Sequence, residues 1–270
     1  MRSRFRNALA AGLVVAFLPA DTNAAPARSS TGSLRSALNN PEIKTGVVDP
    51  AAISALRAMS AYLTSAKTLQ IDSQGSLDVV TNDGQRIQLD GTTVYKIRRP
   101  GFVIDYDSDM KTRRFIYDGK NFTIYSPKLG YYATVAAPPT NSEALNLIYQ
   151  KFGIALPLED LFRWEDGTSA DRLQAIKSAS RIGTATIDGV ETDHYAYREA
   201  DVDWEVWIQQ GDQPLPRKLV IVDRSDPSRP TFIARLKWTV NPTFSDSDFA
   251  FVPNGEAKRI ELATFKGMEK

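Results

Sequence analysis

The stretch DWEVWIQQGDQPLPRKLVIV, residues 203–222, decides how the rest of the chain is read. It fits three descriptions: a catalytic loop, a proline-rich peptide displayed for a partner, or two strands and the turn between them. Side chains alternate in a strand, so Trp204, Val206 and Ile208 fall on one face and Glu205, Trp207 and Gln209 on the other. Gly211 and Asp212 supply a turn, and residues 217–222 return as a second apolar run. Pro214 and Pro216 lack a backbone donor and belong at a strand entrance or an edge. The string PLPRK resembles a ligand for a small recognition domain, but such ligands lie in disordered tails and this one is wedged between strands. The stretch is a predicted hairpin.

The same texture extends to both sides. TLQID, SLDVV, QRIQLD, TVYKIRR, FVIDYD, RRFIYD, NFTIYS and YYATV follow one another between residues 67 and 135, and strands resume after Ser180. Asp-Gly tolerates the positive φ of tight hairpins, so 83–84, 90–91, 118–119 and 188–189 are each expected to join neighbouring antiparallel strands. That is a meander and not an alternation of strands and helices, which excludes a doubly wound nucleotide-binding fold. Helical periodicity is confined to a few places. Asp49-Pro50 is a start signal for Ile53, Leu56, Met59 or Ser60, and Leu63, ending near Ser65. Thr140 and Glu143 form a capping box ahead of Leu145, Ile148, Tyr149 and Phe152. Shorter helices are expected at 157–164 and 170–179. The fold class is α+β, with helices inserted into or packed across one antiparallel sheet.

The N-terminus carries Arg2, Arg4 and Arg6, the apolar run ALAAGLVVAFL at residues 8–18, and small residues TNAA at 22–25. This is the order of a secretory signal peptide, with cleavage expected at Ala24 or Ala25. The run is short of the ~20 residues that span a bilayer, and no second one follows, so the mature chain is expected to have no transmembrane segment. Residues 1–24 are read as the signal peptide, 25–48 as a flexible leader, and 49–270 as one domain. The chain has no cysteine, hence no disulfide and no lipid-modified cysteine, and its hydrophobic content is 42%. A soluble periplasmic protein held by its core is expected. The formal charge of +1 is near balance and points to no nucleic-acid partner.

Little in the sequence carries chemistry. His194 is the single histidine, so a zinc site built from two histidines is impossible, and no Gly-x-Ser-x-Gly elbow accompanies it. It reads as a hydrogen-bonded strand histidine on the face of Thr192, Ala196 and Arg198. The run DYDSD at 105–109 lacks the Gly and final Glu of a calcium loop and reads as a solvated turn. No glycine-rich phosphate loop occurs, and no cofactor is expected. The aromatic pattern says more. Phe102-Ile104-Tyr106, Phe115-Tyr117, Phe122-Ile124 and Trp204-Val206 each put apolar side chains on one strand face. These nine residues are the candidate lining of an apolar cavity. A filled core requires the same inward face, and both readings stay open here.

The strings ALRAMSAYL (55–63), DGQRIQL (83–89), RRPGFVIDY (98–106), YDGKNFTIYSPKLGYYATVAAPPT (117–140) and DVDWEVWIQQGDQPLPRKLVI (201–221) resemble the DUF2092 family of predicted periplasmic proteins, from about Pro50 onward. That resemblance implies a fold like the lipoprotein carriers LolA and LolB: a strongly curved, unclosed antiparallel sheet, or half-barrel, with helices on its concave face and an apolar groove. It transfers no individual site residue. The function expected is non-enzymatic binding of an apolar or acyl-bearing ligand, a hydrophobic small molecule, lipid or lipoprotein acyl chain. The alternative is an envelope protein-interaction or regulatory module with a filled core; a hydrolase comes third.

Overall fold

The computed structural model describes residues 46–156, 158 and 173–264. The expected signal peptide, most of the leader and the helix at 157–164 lie outside them.

Twelve strands form one sheet: β1 (Thr68–Val80), β2 (Arg86–Arg98), β3 (Phe102–Ser108), β4 (Thr112–Tyr117), β5 (Asn121–Ser126), β6 (Tyr131–Ala136), β7 (Ser178–Ile187), β8 (Val190–Arg198), β9 (Val202–Gln209), β10 (Pro216–Asp223), β11 (Thr231–Val240) and β12 (Lys258–Arg259). Their order is β12-β6-β5-β4-β3-β2-β1-β11-β10-β9-β8-β7. The β1–β11 pair joins two meanders, and every neighbouring pair is antiparallel except β12–β6. The edges β12 and β7 do not meet, so the sheet is curved and unclosed. Helix α1 (Pro50–Ser65) precedes it, and α2 (Asn141–Phe152) leads from β6 at one end toward β7 at the other.

Turn chemistry accounts for most joints. At 188–189 both residues have positive φ, 49° and 80°, as the tightest hairpin requires. Gly84 and Gly119 likewise take positive φ between β1 and β2 and between β4 and β5. Residues 203–222 form the hairpin of β9 and β10, with Pro216 opening the return strand. Asp90-Gly91 is a correction. It makes no turn and lies inside β2, where Gly91 is the register partner of Gly75 in β1. The strings read as four short strands from Thr68 to Arg98 are two long ones. Asp-Gly serves here because neighbouring backbone comes close: a Cβ on Gly91 would stand 2.9 Å from the Asp107 carbonyl, and one on Gly75 3.0 Å from that of Ile233. The helix expected at 170–179 is also corrected. Residues 173–175 are helical, but Ser178 and Ala179 already pair with Arg198 and Tyr197. The backbone of Ala179 is further tied to Val47 and Asp49 at the sheet edge.

Both helices lie on the same side of the sheet. Leu56, Met59 and Leu63 of α1 and Ala144, Leu145 and Ile148 of α2 share one core with Ile71, Tyr95, Phe122 and Trp238. Asp49 caps α1 by accepting from the Ala51 N–H at 2.9 Å, and Thr140 and Gly153 cap the two ends of α2. The C-terminus of α1 lacks a glycine. Its last carbonyls, on Leu63, Thr64 and Ala66, accept instead from the Arg99 guanidinium. Asn141, the first residue of α2, accepts from Gly101 N–H at 2.7 Å and donates to the Arg98 carbonyl at 3.0 Å. One β2–β3 turn thereby holds both helices.

The chain after β11 crosses the convex side. Phe249 packs on Val103 and Ile116, with Phe244 and Phe251 beside it. Lys96 donates to Asp248 at 2.6 Å, Arg98 pairs with Asp246 at 2.5 Å, and Phe251 sits between Tyr125 and Tyr132. Lys258 and Arg259 then add the short parallel edge to β6.

Two outcomes test this framework. Gly91→Ala should lower unfolding stability by about 1–3 kcal/mol through overpacking, whereas Gly183→Ala, which meets nothing within 4 Å, should be near neutral; urea midpoints decide. The second concerns pH. Donation from Lys96 and from the Ser245 backbone holds the Asp248 carboxyl well below the usual carboxylate range. A depressed carboxyl stabilises fully above its unfolded value of ~4 and loses that contribution as pH falls. The destabilisation caused by Lys96→Met should therefore be largest near neutrality and shrink below about pH 4. An effect that is flat with pH would contradict the clasp.

Candidate functional site

The concave face is built by alternation, and the register shows its rows. Leu89, Leu77, Phe232, Ile221 and Trp204 are successive partners across β2, β1, β11, β10 and β9. All five are only half-buried. The adjacent row is small: Gly91, Gly75 and Ala234. The rings of Tyr106 and Phe232 lie over the two glycines, with ring carbons 3.5 and 3.4 Å from where a Cβ would be. Next come Thr93 and Ser73, buried partners of Tyr106 and Leu236. Only beyond them do the large residues close the core under the helices. The surface is thus deep and filled at the helix end and shallow, apolar and partly open to solvent at the other.

The nine sequence candidates divide along this gradient. Phe102, Ile104, Phe115, Tyr117, Phe122 and Val206 are buried members of the main core, while Ile124 and Trp204 are half-buried against it. Phe102 packs on Tyr117 with ring centroids 5.3 Å apart, and Phe115 stacks on Phe122 at 6.3 Å. Tyr106 stands outside that core, above Gly91. Leu77, Leu89, Phe232 and Ile221 lie outside those nine, although each follows the alternation of its own strand. Reading Asp90-Gly91 as a turn broke the row in two.

Polar groups on this face are mostly pinned. Tyr197 donates to the Ala52 carbonyl of α1 at 2.8 Å, and Trp238 Nε1 donates to Pro216 at 2.6 Å. Trp204 Nε1 reaches Glu199 at 3.1 Å. Burial drives the phenols of Tyr95 and Tyr197 far above the usual tyrosine range, so both stay neutral. At the β3–β4 end the face turns cationic. Arg113 alternates with Phe115 and Tyr117 on β4, and donates to Ser126 Oγ at 2.7 Å and to the Thr112 carbonyl at 2.9 Å. Lys111 reaches over the Tyr106 ring, 6.0 Å from its centroid. A shallow depression of about 320 Å³ follows at the β5–β6 turn, lined by residues including Lys128, Leu129, Tyr131 and Lys258.

His194 is on the opposite, convex side. Its ring stacks on Trp207 at 3.9 Å and its Nε2 lies 2.8 Å from Glu205 Oε2. Lys218 covers the same indole at 4.2 Å. Among the described residues no serine or threonine hydroxyl is hydrogen-bonded to it. The Asp105–Asp109 run gathers no ion site: Asp105 pairs with Arg114 at 3.4 Å, Asp107 faces Lys128 at 3.5 Å, and Asp109 accepts from the Asp90 N–H. No group of three or more His, Asp or Glu that could hold a metal occurs among the described residues. No helix among them is long and apolar enough to cross a membrane.

Compared with known proteins, residues 52–263 match the model of a family described as predicted periplasmic protein (DUF2092). The chain belongs to the DUF2092 family. No curated protein matches it in sequence. Among solved structures it is similar to an uncharacterized conserved protein from Thermus thermophilus, at 9% identity and TM-score 0.46, covering 78% of this chain and 99% of that one. It is similar to the lipoprotein LppX of Mycobacterium tuberculosis, at 14% identity and TM-score 0.42, covering 73% and 98%. A LolA superfamily protein from Nitrosomonas europaea is similar at 10% identity and TM-score 0.36, covering 74% and 97%.

Proposed function

We propose that this DUF2092 protein is a non-enzymatic periplasmic binding protein whose concave face takes an apolar or acyl-bearing ligand, as a carrier or a sensor. The observation that carries the reading is the row Leu89, Leu77, Phe232, Ile221 and Trp204, left half-buried beside a floor of glycine and alanine. Apolar surface in a concavity with few convergent polar groups is the usual character of a small-molecule site. Of the sequence candidates, Trp204 belongs to this row, Tyr106 covers its glycine floor, and Ile124 is half-buried two residues before Ser126; these three are the ones proposed to touch ligand. The other six are proposed to support it from the core. Export fits the family description, with residues 1–24 as the signal peptide and 49–270 as one domain.

Magnitudes set the ligand size. Each buried methylene gains about 0.8 kcal/mol, and association costs at least ~4 kcal/mol in lost freedom. About six methylenes barely exceed that cost, whereas roughly twelve or more leave several kcal/mol over. The second reading, a protein-interaction module with a filled core, draws on the complete burial of Tyr117 and Phe122 under the helices. It would leave the concave row without a small ligand.

N-phenyl-1-naphthylamine, a neutral dye that brightens in apolar surroundings, should bind the mature protein with saturation. Displacement should strengthen from eight-carbon to sixteen-carbon chains, and Leu77→Arg should weaken dye binding about tenfold or more at little cost in melting temperature. Organic extraction of protein purified gently from its own periplasm should release an acyl-bearing compound. Absence of saturable dye binding, with nothing in the extract, would transfer the function to the filled-core reading.

A further inference from the structure

The cations at the end of the concave face have a bearing on what the ligand carries. Strand alternation sends Arg114 to the convex side, where it meets Asp105 at 3.4 Å, and sends its neighbour Arg113 to the concave side. There Arg113 is the register partner of Tyr106, and across β5 it faces Ser126, which follows Phe122 and Ile124 on the same inward face. Its two hydrogen bonds, to Ser126 Oγ and the Thr112 carbonyl, both come from Nη1. Nε and Nη2 have no hydrogen-bond partner among the described residues, and no carboxylate there lies within ion-pair distance of the guanidinium.

That free edge is the one a guanidinium uses to grip a carboxylate or phosphate with two parallel bonds. Keeping a half-buried cation without an acid is unfavourable, and a second cation nearby makes it more so. Lys111 is that second cation: burial, and then the charge of Arg113, lowers its pKa below the ordinary lysine value. Elsewhere in the sheet cations meet an aspartate: Arg114, Lys96, Arg198 and Arg235 on the convex side, and Arg181, in register with Tyr195 on the inward face, with Asp193. Arg113 therefore sets a positive charge at the border of the apolar row, reached through Tyr106 and Thr93 at the register of β3 and β2. Such a gradient is complementary to a molecule with an acidic end and an apolar tail.

We propose that Arg113 is the headgroup site of the concave face, binding the carboxylate or phosphate of a single-chain acidic amphiphile whose tail lies along the Leu77–Phe232 row. This rests on the apolar-ligand reading above and specifies its chemical class. Lys111 adds long-range attraction, and Ser126 holds the guanidinium through Nη1, which leaves Nε and Nη2 for the head group.

The test uses the mature protein and three twelve-carbon probes that differ only at the head: dodecanoate, dodecyl phosphate and dodecanol, each displacing N-phenyl-1-naphthylamine. Wild-type protein should bind at least one acid about tenfold more tightly than the alcohol, the gain expected of a charge-assisted bidentate contact. The preferred acid separates a fatty-acid-like from a phosphate-bearing ligand. Arg113→Gln should abolish the preference while leaving dye and dodecanol affinities within about twofold, and Arg113→Lys should restore part of it. Equal binding of acids and alcohol by wild type would overturn the headgroup assignment alone. So would an Arg113→Gln variant that weakens all three probes alike, because that is the behaviour of a merely structural residue. Failure of the dye itself to bind would instead remove the apolar-ligand reading, and the headgroup site with it.

Discussion

The concave side depends on two neighbouring strands lacking a side chain at the same rung. Gly75 and Gly91 are register partners in the middle of the two longest strands, and backbone carbonyls of β11 and β3 press to within 3.0 and 2.9 Å of their absent Cβ positions. A glycine in a strand interior costs conformational entropy and marks a bend or a close approach of backbone. With Ala234 beside them, these glycines set a shallow floor between the filled core and the half-buried apolar row. Rings from Phe232 and Tyr106 cover that floor and shield the glycines' backbone.

Around that bend the chain fixes one side of the sheet and leaves the other to accommodate. On the convex side, the segment after β11 adds the Phe249 cluster and two ion pairs before joining the β6 edge. Trp207 closes the remainder beneath His194 and Lys218. On the concave side, the turn at 98–101 grips α1 through Arg99 and α2 through Asn141. The helices are therefore anchored to one end of the sheet, where Tyr117 and Phe122 are wholly buried. At the opposite end Leu77, Leu89 and Phe232 are only half-buried. A firmly held end and a half-buried apolar end are what the proposed binding face draws on.

How legible this was in the sequence depended on how local each signal is. The hairpin at 203–222 and the turns at 83–84, 118–119 and 188–189 rest on chemistry between near neighbours in the chain, and the structure has them. So do the starts of both helices, where Asp49-Pro50 and Thr140 satisfy orphan N–H groups locally. Asp90-Gly91 misled because a turn and an in-strand close approach ask the same thing of glycine; only the partner strand tells them apart, and Gly75 is 16 residues away. The helix expected over 178–179 lost to ladder bonds with Arg198 and Tyr197 that no local propensity encodes. The convex clasp pairs Lys96 with Asp248 across a sequence separation of 152 and was beyond any pattern reading. For the candidate site, aromatic alternation grouped residues that share a strand face, and six of those nine lie deep in the core. The half-buried apolar row and the inward Arg113 emerge only once strand order and register are known.

The central claim is that a ligand's apolar chain lies on this one row of the concave face. A dodecyl probe carrying a diazirine near its tail, photolysed on the mature protein and mapped by peptide mass spectrometry, tests it most directly. The account predicts saturable labelling concentrated on β1, β2, β10 and β11 at Leu77, Leu89, Ile221 and Phe232, suppressed by excess unlabelled chain. Labelling scattered over the convex face, or centred on Trp207 and His194, would contradict it.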